Sequence, residues 1–216
     1  MVNSKYRFMR LFVIMLPIML ALITASNCEK RVKDNPISCS ERAKYRGSNT
    51  SDYILPYPAG KTYILSQGYC NANGGHSNQL AYDFAMSIGD TVCCIRSGFV
   101  KELRENQPDN GGTITASNHN YLMIMHEDGT VAFYAHLMQS GVLVEIGDFA
   151  EQGERIALSG NSGNTLNFPH LHLGLYENYP PQETYDLPII FKNIAGPTDS
   201  LGGLIVDERY TALKSE

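Results

Sequence analysis

Six histidines occur in the 216 residues, and two of them stand two positions apart in a leucine-rich run, PHLHLGLY at 169–176. In a strand, successive side chains alternate faces, so Leu171, Leu173 and Leu175 would line a core while His170, His172 and Gly174 share the other side. The two imidazoles then sit roughly 7 Å apart at their Cα atoms, and Gly174 leaves open floor beside them. Alone, the pair reads as two histidines on the wet face of a sheet. Two further segments point to chemistry instead. In TVAFYAHLM the same alternation puts Val131, Phe133, Ala135 and Leu137 on one face and Tyr134 and His136 on the other. GGHSNQLAYDFAM supplies His76 in a glycine-preceded loop and Asp83 in a strand whose Tyr82 and Phe84 point away from it. Two neutral imidazoles and one carboxylate are enough to hold Zn²⁺ with a fourth position left for water.

These residues need a rigid frame, and the sequence specifies a mainly β one. YLMIMHEDGTVAFYAHL has two apolar runs flanking Asp128-Gly129, a dipeptide suited to the positive φ of a tight hairpin. GVLVEIGDFAEQGERIALSG continues with short β-branched segments split at Gly147-Asp148 and Gly153-Glu154. No long capped stripe of 3.6-residue period occurs after the N-terminal segment, so the expectation is an antiparallel β-sheet core with loops forming a groove over the sheet. The loop SGNSGNTLNFP either lines that groove or merely connects strands. His119, in TASNHN, and His126, beside the Asp128-Gly129 hairpin, read as loop and turn residues rather than ligands. Tyr134 is either an oxyanion donor or a core tyrosine satisfied elsewhere.

Length and charge narrow the class. The chain is long enough for one well-buried domain with tails. Residues 1–27 carry Lys5, Arg7 and Arg10 and no acid, so the remainder, with 14 basic against 22 acidic residues, has a charge of −8. That balance argues against a nucleic-acid partner. After MVNSKYRFMR come thirteen apolar residues, Leu11 to Ile23, and then the small polar run TASNC. This is a signal peptide's order, and thirteen helical residues rise only about 20 Å, too short for a bilayer core. Residues 1–27 are therefore expected to be a signal peptide of an exported protein. Cleavage falls either near Ala25 or Ser26, or directly before Cys28, which would then be lipid-modified and tether the chain to a membrane. Cys39, Cys70, Cys93 and Cys94 remain, an even set that reads as two disulfides in an exported protein. Neighbouring Cys93 and Cys94 on a strand face opposite ways, so each is expected to pair with Cys39 or Cys70.

The matching segments, taken together, resemble the lysostaphin-type, or LytM-type, zinc endopeptidases. They run LPYPAGKTYILSQGY, GGHSNQLAYDFAMSIGDTV, GTVAFYAHL, VEIGDFAEQGERIALSGNSGN and PHLHLGLY, spanning about residues 55–177. The resemblance implies that His76, Asp83 and His172 hold zinc and that His136 and His170 are unligated catalytic histidines. It implies hydrolysis of peptide bonds in peptidoglycan stem or cross-link peptides by an enzyme of the bacterial cell envelope, and the chain is expected to be monomeric. One departure stands out: the commonest form of the first motif has three residues between histidine and aspartate, and six separate His76 from Asp83 here.

The expected organisation is a signal peptide at 1–27, a polar spacer or N-terminal arm at 28–50, a zinc metallopeptidase core at 51–178 and a C-terminal extension packed on it at 179–216. The alternative function is a catalytically silent relative that binds or activates another cell-wall hydrolase. A biotinyl or lipoyl carrier, which GVLVEIGDFAEQGERIAL also resembles, is excluded because no lysine lies between Lys101 and Lys192.

Overall fold

The computed structural model describes residues 38–44, 52–71, 75–112, 118–181 and 186–214. The expected signal peptide and Cys28 lie outside them. One short helix, α1 (Cys39–Arg42), precedes the strands β1 (Thr62–Gln67), β2 (Ala81–Phe84), β3 (Thr91–Cys93), β4 (Gly98–Arg104), β5 (Tyr121–His126) and β6 (Val131–Ala135). They are followed by β7 (Leu137–Val142), β8 (Phe149–Ala150), β9 (Arg155–Ser159), β10 (Leu171–Tyr176), β11 (Ile194–Ala195) and β12 (Arg209–Ala212). Among the described residues they form a nine-stranded sheet, ordered β11-β12-β1-β2-β10-β6-β5-β4-β8, and a three-stranded sheet, β3-β9-β7. All the strand pairs are antiparallel.

Turn chemistry fixes the registers. Between β5 and β6 the chain reverses at Gly129, φ 86°, while the Thr130 N–H donates to Asp128 Oδ1 and the His126 N–H to the Thr130 carbonyl. That sets Met125 opposite Val131 and carries the pairing through to Tyr121 opposite Ala135. Gly147 and Gly153 likewise turn with positive φ at the two breaks expected from sequence.

One apolar cluster joins both sheets: Leu65, Tyr82, Phe84, Ile124, Tyr134, Leu171 and Leu173 from the large one meet Val92, Leu137, Ile156 and Ala157 from the small one. Each fully buried Leu, Ile or Phe contributes on the order of 1.5–3 kcal/mol by leaving water. The same cluster makes one face of β2, β10 and β6 dry and leaves the opposite face to the site. Leu204, Tyr210 and Ala212 from the C-terminal segment join it, and β12 pairs with β1 through Tyr63 opposite Tyr210.

One expectation needs correction. The cysteine pairing differs: Cys39 bonds Cys70, and Cys93 and Cys94 are free and buried. Cys93 ends β3 and Cys94 follows it into the core, where burial pushes the thiols up to about 11 and about 12 and keeps them protonated. His126 flanks the hairpin turn as expected, its carbonyl accepting the Gly129 N–H at 3.0 Å, but it is buried. It closes β5 at 1% exposure, packed 5.6 Å from the Tyr53 ring, with Nδ1 bonded to Thr130 Oγ1. Its Nε2 has no hydrogen-bond partner among the described residues.

Burial, reinforced by the Arg96 guanidinium, holds His126 at about 4 rather than its ordinary 6.5. The unfolded chain therefore binds this proton more readily than the native one, so stability is full above pH 6.5 and falls as pH drops toward 4. The loss should reach about 3 kcal/mol from this group. Urea unfolding at pH 7 and pH 4 should show a smaller acid loss in His126→Asn, whose amide can still meet Thr130, than in the parent; equal losses would refute the assignment.

Candidate metal centre

Three strands and one loop build the site. In β10 leucine occupies every core position, so His172 is forced to the opposite face, where its Cα partners are Asp83 of β2 on one side and Ala135 of β6 on the other. Cross-strand partners share a face, so this register alone brings His172 and Asp83 together. Asp83 points there because Tyr82 and Phe84 fill the core. His76 arrives from the loop between β1 and β2.

The donor atoms converge. His76 Nε2 lies 3.1 Å from His172 Nδ1 and 3.2 Å from Asp83 Oδ1, and His172 Nδ1 lies 3.0 Å from the same oxygen. Donors held tetrahedrally about 2.1 Å from one zinc ion lie roughly 3.4 Å from one another, so the triangle needs to open only slightly to fit. His76 and Asp83 are each 2% exposed. The His76 Nδ1–H donates to the Gly68 carbonyl at 3.1 Å, which fixes the tautomer and turns the Nε2 lone pair inward. Burial would push Asp83 up, but the His172 and His76 imidazoles outweigh it and hold the carboxyl well below the usual range, ionised. Buried lone pairs facing one another at this range are costly unless a proton or a cation sits among them. Residue types, distances and tautomer therefore fit Zn²⁺.

Two more imidazoles border this triangle. The His170 Nδ1–H donates to the Phe168 carbonyl at 2.7 Å, leaving Nε2 3.7 Å from Asp83 Oδ2. The His136 Nδ1–H donates to the Ser162 carbonyl at 2.8 Å, and its ring centroid lies 4.6 Å from that of His170 and 6.0 Å from that of His172. Burial, with the neighbouring His170 and His172, holds His136 far down, at about 3, so it is neutral. All five residues singled out from sequence thus lie around one groove of about 470 Å³. Among the described residues that line it, Asp83 is the one acid, and none is a lysine or arginine.

The route of His136 to the groove differs from the simple alternation. Phe133 and Ala135 of β6 line the groove, while Ala132 and Tyr134 belong to the core. The expected faces of β6 are thus inverted. Tyr134 is fully buried, and its hydroxyl accepts the Ile95 N–H at 2.9 Å, which places it in the core rather than beside a reacting carbonyl. By alternation His136 would then point inward. It adopts φ 59° instead, a left-handed conformation that breaks the strand between β6 and β7 and swings the ring outward. Gly174 is also less open than expected, because the Tyr176 ring folds back to 3.2 Å from where a Cβ would stand.

His119 lies in the groove wall, 5.5 Å from His136 and 5.9 Å from Phe133 between ring centroids, outside the three-donor group. Its groove position escapes a reading as loop residue, but counting back in twos from half-buried Met123 and Tyr121 would have found it. Asn164, Thr165 and Leu166 of the SGNSGNTLNFP loop line the groove as well.

Comparison with known proteins shows the family. Peptidase family M23 matches residues 77–184, half of the chain, beginning one residue after His76. An uncharacterized metalloprotease of Buchnera aphidicola subsp. Baizongia pistaciae is 30% identical over 132 residues, covering 58% of this chain and 32% of the relative. The peptidoglycan DD-endopeptidase ShyA of Vibrio cholerae is 40% identical over 93 residues, covering 43% and 19% respectively. Lysostaphin of Staphylococcus simulans is 29% identical over 161 residues, covering 74% and 28%. The chain thus spans about a fifth to a third of the length of these relatives. With four of its five converging groups inside the matched region and the fifth at its edge, the chain belongs to peptidase family M23.

Proposed function

We propose that the chain is a zinc-dependent endopeptidase that hydrolyses peptide bonds in peptidoglycan stem or cross-link peptides. His76, Asp83 and His172 would hold the metal. The observation that carries this reading is the mutual approach of their three donor atoms, 3.0–3.2 Å, with two unligated imidazoles beside them. Zinc in such a setting supplies Lewis acidity toward the scissile carbonyl and acidifies water.

His136 and His170 supply the proton traffic. Each gives its Nδ1 proton to a backbone carbonyl and so presents an Nε2 lone pair to the groove. Each can therefore accept a proton from water, and the imidazolium so formed can donate to the developing oxyanion or return the proton to the leaving amine. The low pKa of His136 keeps that lone pair free at neutral pH. Phe133, Met123 and Tyr176 give the groove apolar surface on which an extended peptide can lie. A silent relative would lack one of these five groups, and this chain carries them all. In this reading the protein is exported to the bacterial envelope, is tethered there if Cys28 is lipidated, and acts as a monomer.

Metal titration should give one zinc per chain for the parent and none for His172→Ala, measured by elemental analysis after dialysis; retained zinc in the variant would overturn the ligand set. His136→Ala should keep its zinc and lose about 10²–10⁴-fold in turnover of purified peptidoglycan. Full turnover by that variant would remove His136 from the chemistry.

A further inference from the structure

We propose that α1 and Asp186 form a clamp that positions His76 for its metal, closed by the Cys39–Cys70 disulfide. This rests on the zinc reading above and adds residues from before β1 and after β10 to the centre. His76 is the ligand with the weakest local support. Asp83 and His172 belong to paired central strands, whereas His76 sits between Gln67 and Ala81, in a connection with exposed Gly75, Ser77 and Asn78. The longer gap between His76 and Asp83 leaves that connection in need of outside anchors.

The anchors are present and converge on it. The Cys39–Cys70 bond spans a sequence separation of 31 and ties α1 to the start of the loop, two residues after Gly68, whose carbonyl orients His76. The Cys70 N–H donates to the Gln79 carbonyl at 3.0 Å, and the Gln79 N–H to the His76 carbonyl at 3.2 Å, closing the loop on itself. Arg42 then bridges outward. Its Nη2 donates to the Asn78 carbonyl and its Nε to Asp186 Oδ1, each at 2.7 Å, while Asp186 Oδ2 accepts the Leu80 N–H at 2.7 Å. Ser38 and Glu41 make a reciprocal capping box that holds the single turn carrying Arg42.

The Arg42 and Asp186 side chains are 11% and 3% exposed. A buried ion pair adds little net stability because desolvation offsets attraction, but it fixes geometry when its hydrogen bonds are all made. Here both partners spend those bonds on the backbone of residues 78–80. The role that follows is orientation of the ligand loop: without the clamp the sheet, Asp83 and His172 stay in place while His76 wanders.

The test compares zinc affinity, by competition with a chromophoric chelator, in the full chain as parent, as Cys39→Ser/Cys70→Ser and as Arg42→Gln/Asp186→Asn, with the urea midpoint of each metal-free protein. Partners that orient a ligand typically matter 10–100-fold for metal affinity, so zinc should bind about that much more weakly in both variants, with turnover restored by excess zinc; the metal-free urea midpoint should stay at the parent's in Arg42→Gln/Asp186→Asn, while loss of a cross-link spanning 31 residues lowers it in the cysteine variant by itself. Affinity within twofold of the parent in both variants would overturn the clamp, as would a fall in the metal-free urea midpoint of Arg42→Gln/Asp186→Asn large enough to account for its weaker binding. Reduction of the parent with a phosphine should reproduce the affinity loss of the disulfide variant, and if that variant fails to fold, Arg42→Gln/Asp186→Asn decides the matter. A parent that binds no zinc would instead refute the metal reading on which the clamp rests.

Discussion

Three electron-pair donors held within 3.2 Å of one another in a nearly dry site are the constraint around which the molecule is arranged. Such an approach needs a proton or a cation among the donors, and burial removes the water that would otherwise meet them, so a fold that imposes it must hold it with geometry from elsewhere. The sheet does so through register. His172 can face Asp83 only because leucines fix which side of β10 is dry and because β2 and β10 pair without slippage from Leu171 to Gly174. A one-residue slip would send His172 into the core and the leucines into the groove. The large apolar cluster is thus more than a source of stability. It is what makes the wrong register expensive.

Much of this was legible in the sequence where the pattern was redundant. In β10 every second residue is leucine, and in β2 tyrosine and phenylalanine flank the aspartate, so both strands state their faces twice over. The tight turn at Asp128-Gly129 was readable for the same reason: residue type and the apolar runs beside it agree. Where both faces of a strand carry apolar or aromatic residues, alternation loses its meaning. In β6, Val131, Ala132, Phe133, Tyr134 and Ala135 would each suit a core, and the choice falls to packing: Tyr134 finds a buried partner in the Ile95 N–H, and Phe133 stacks toward His119 and Tyr121 on the groove side.

Two other features could not be read from local pattern at all. The left-handed turn at His136 has no glycine or asparagine to announce it. The cysteine pairing depends on where the N-terminal segment docks, a tertiary fact, so neighbouring Cys93 and Cys94 gave a misleading cue. Their free thiols instead serve as small apolar side chains in and below β3.

The same backbone contacts decide what the histidines can do. His76, His136 and His170 each donate from Nδ1 to a main-chain carbonyl, of Gly68, Ser162 and Phe168 respectively, and so each turns Nε2 toward the groove. One of them faces Asp83 and His172 closely enough to serve as a ligand, while the other two stand one layer back. In the proposed function, position relative to the carboxylate, not residue chemistry, would separate the two roles. Asp83 sits at the centre of that division, with Oδ1 shared by the inner pair and Oδ2 turned toward His170 at 3.7 Å. A single negative charge in the donor set balances only half of a divalent cation's charge, so an ion bound there would keep the electrophilicity that a thiolate-rich cage would quench. A loop-borne His76, two strand-borne donors and two tautomer-locked neighbours therefore make one electrostatic unit. Its weakest mechanical element is the loop, which is where the chain invests a disulfide and a buried ion pair.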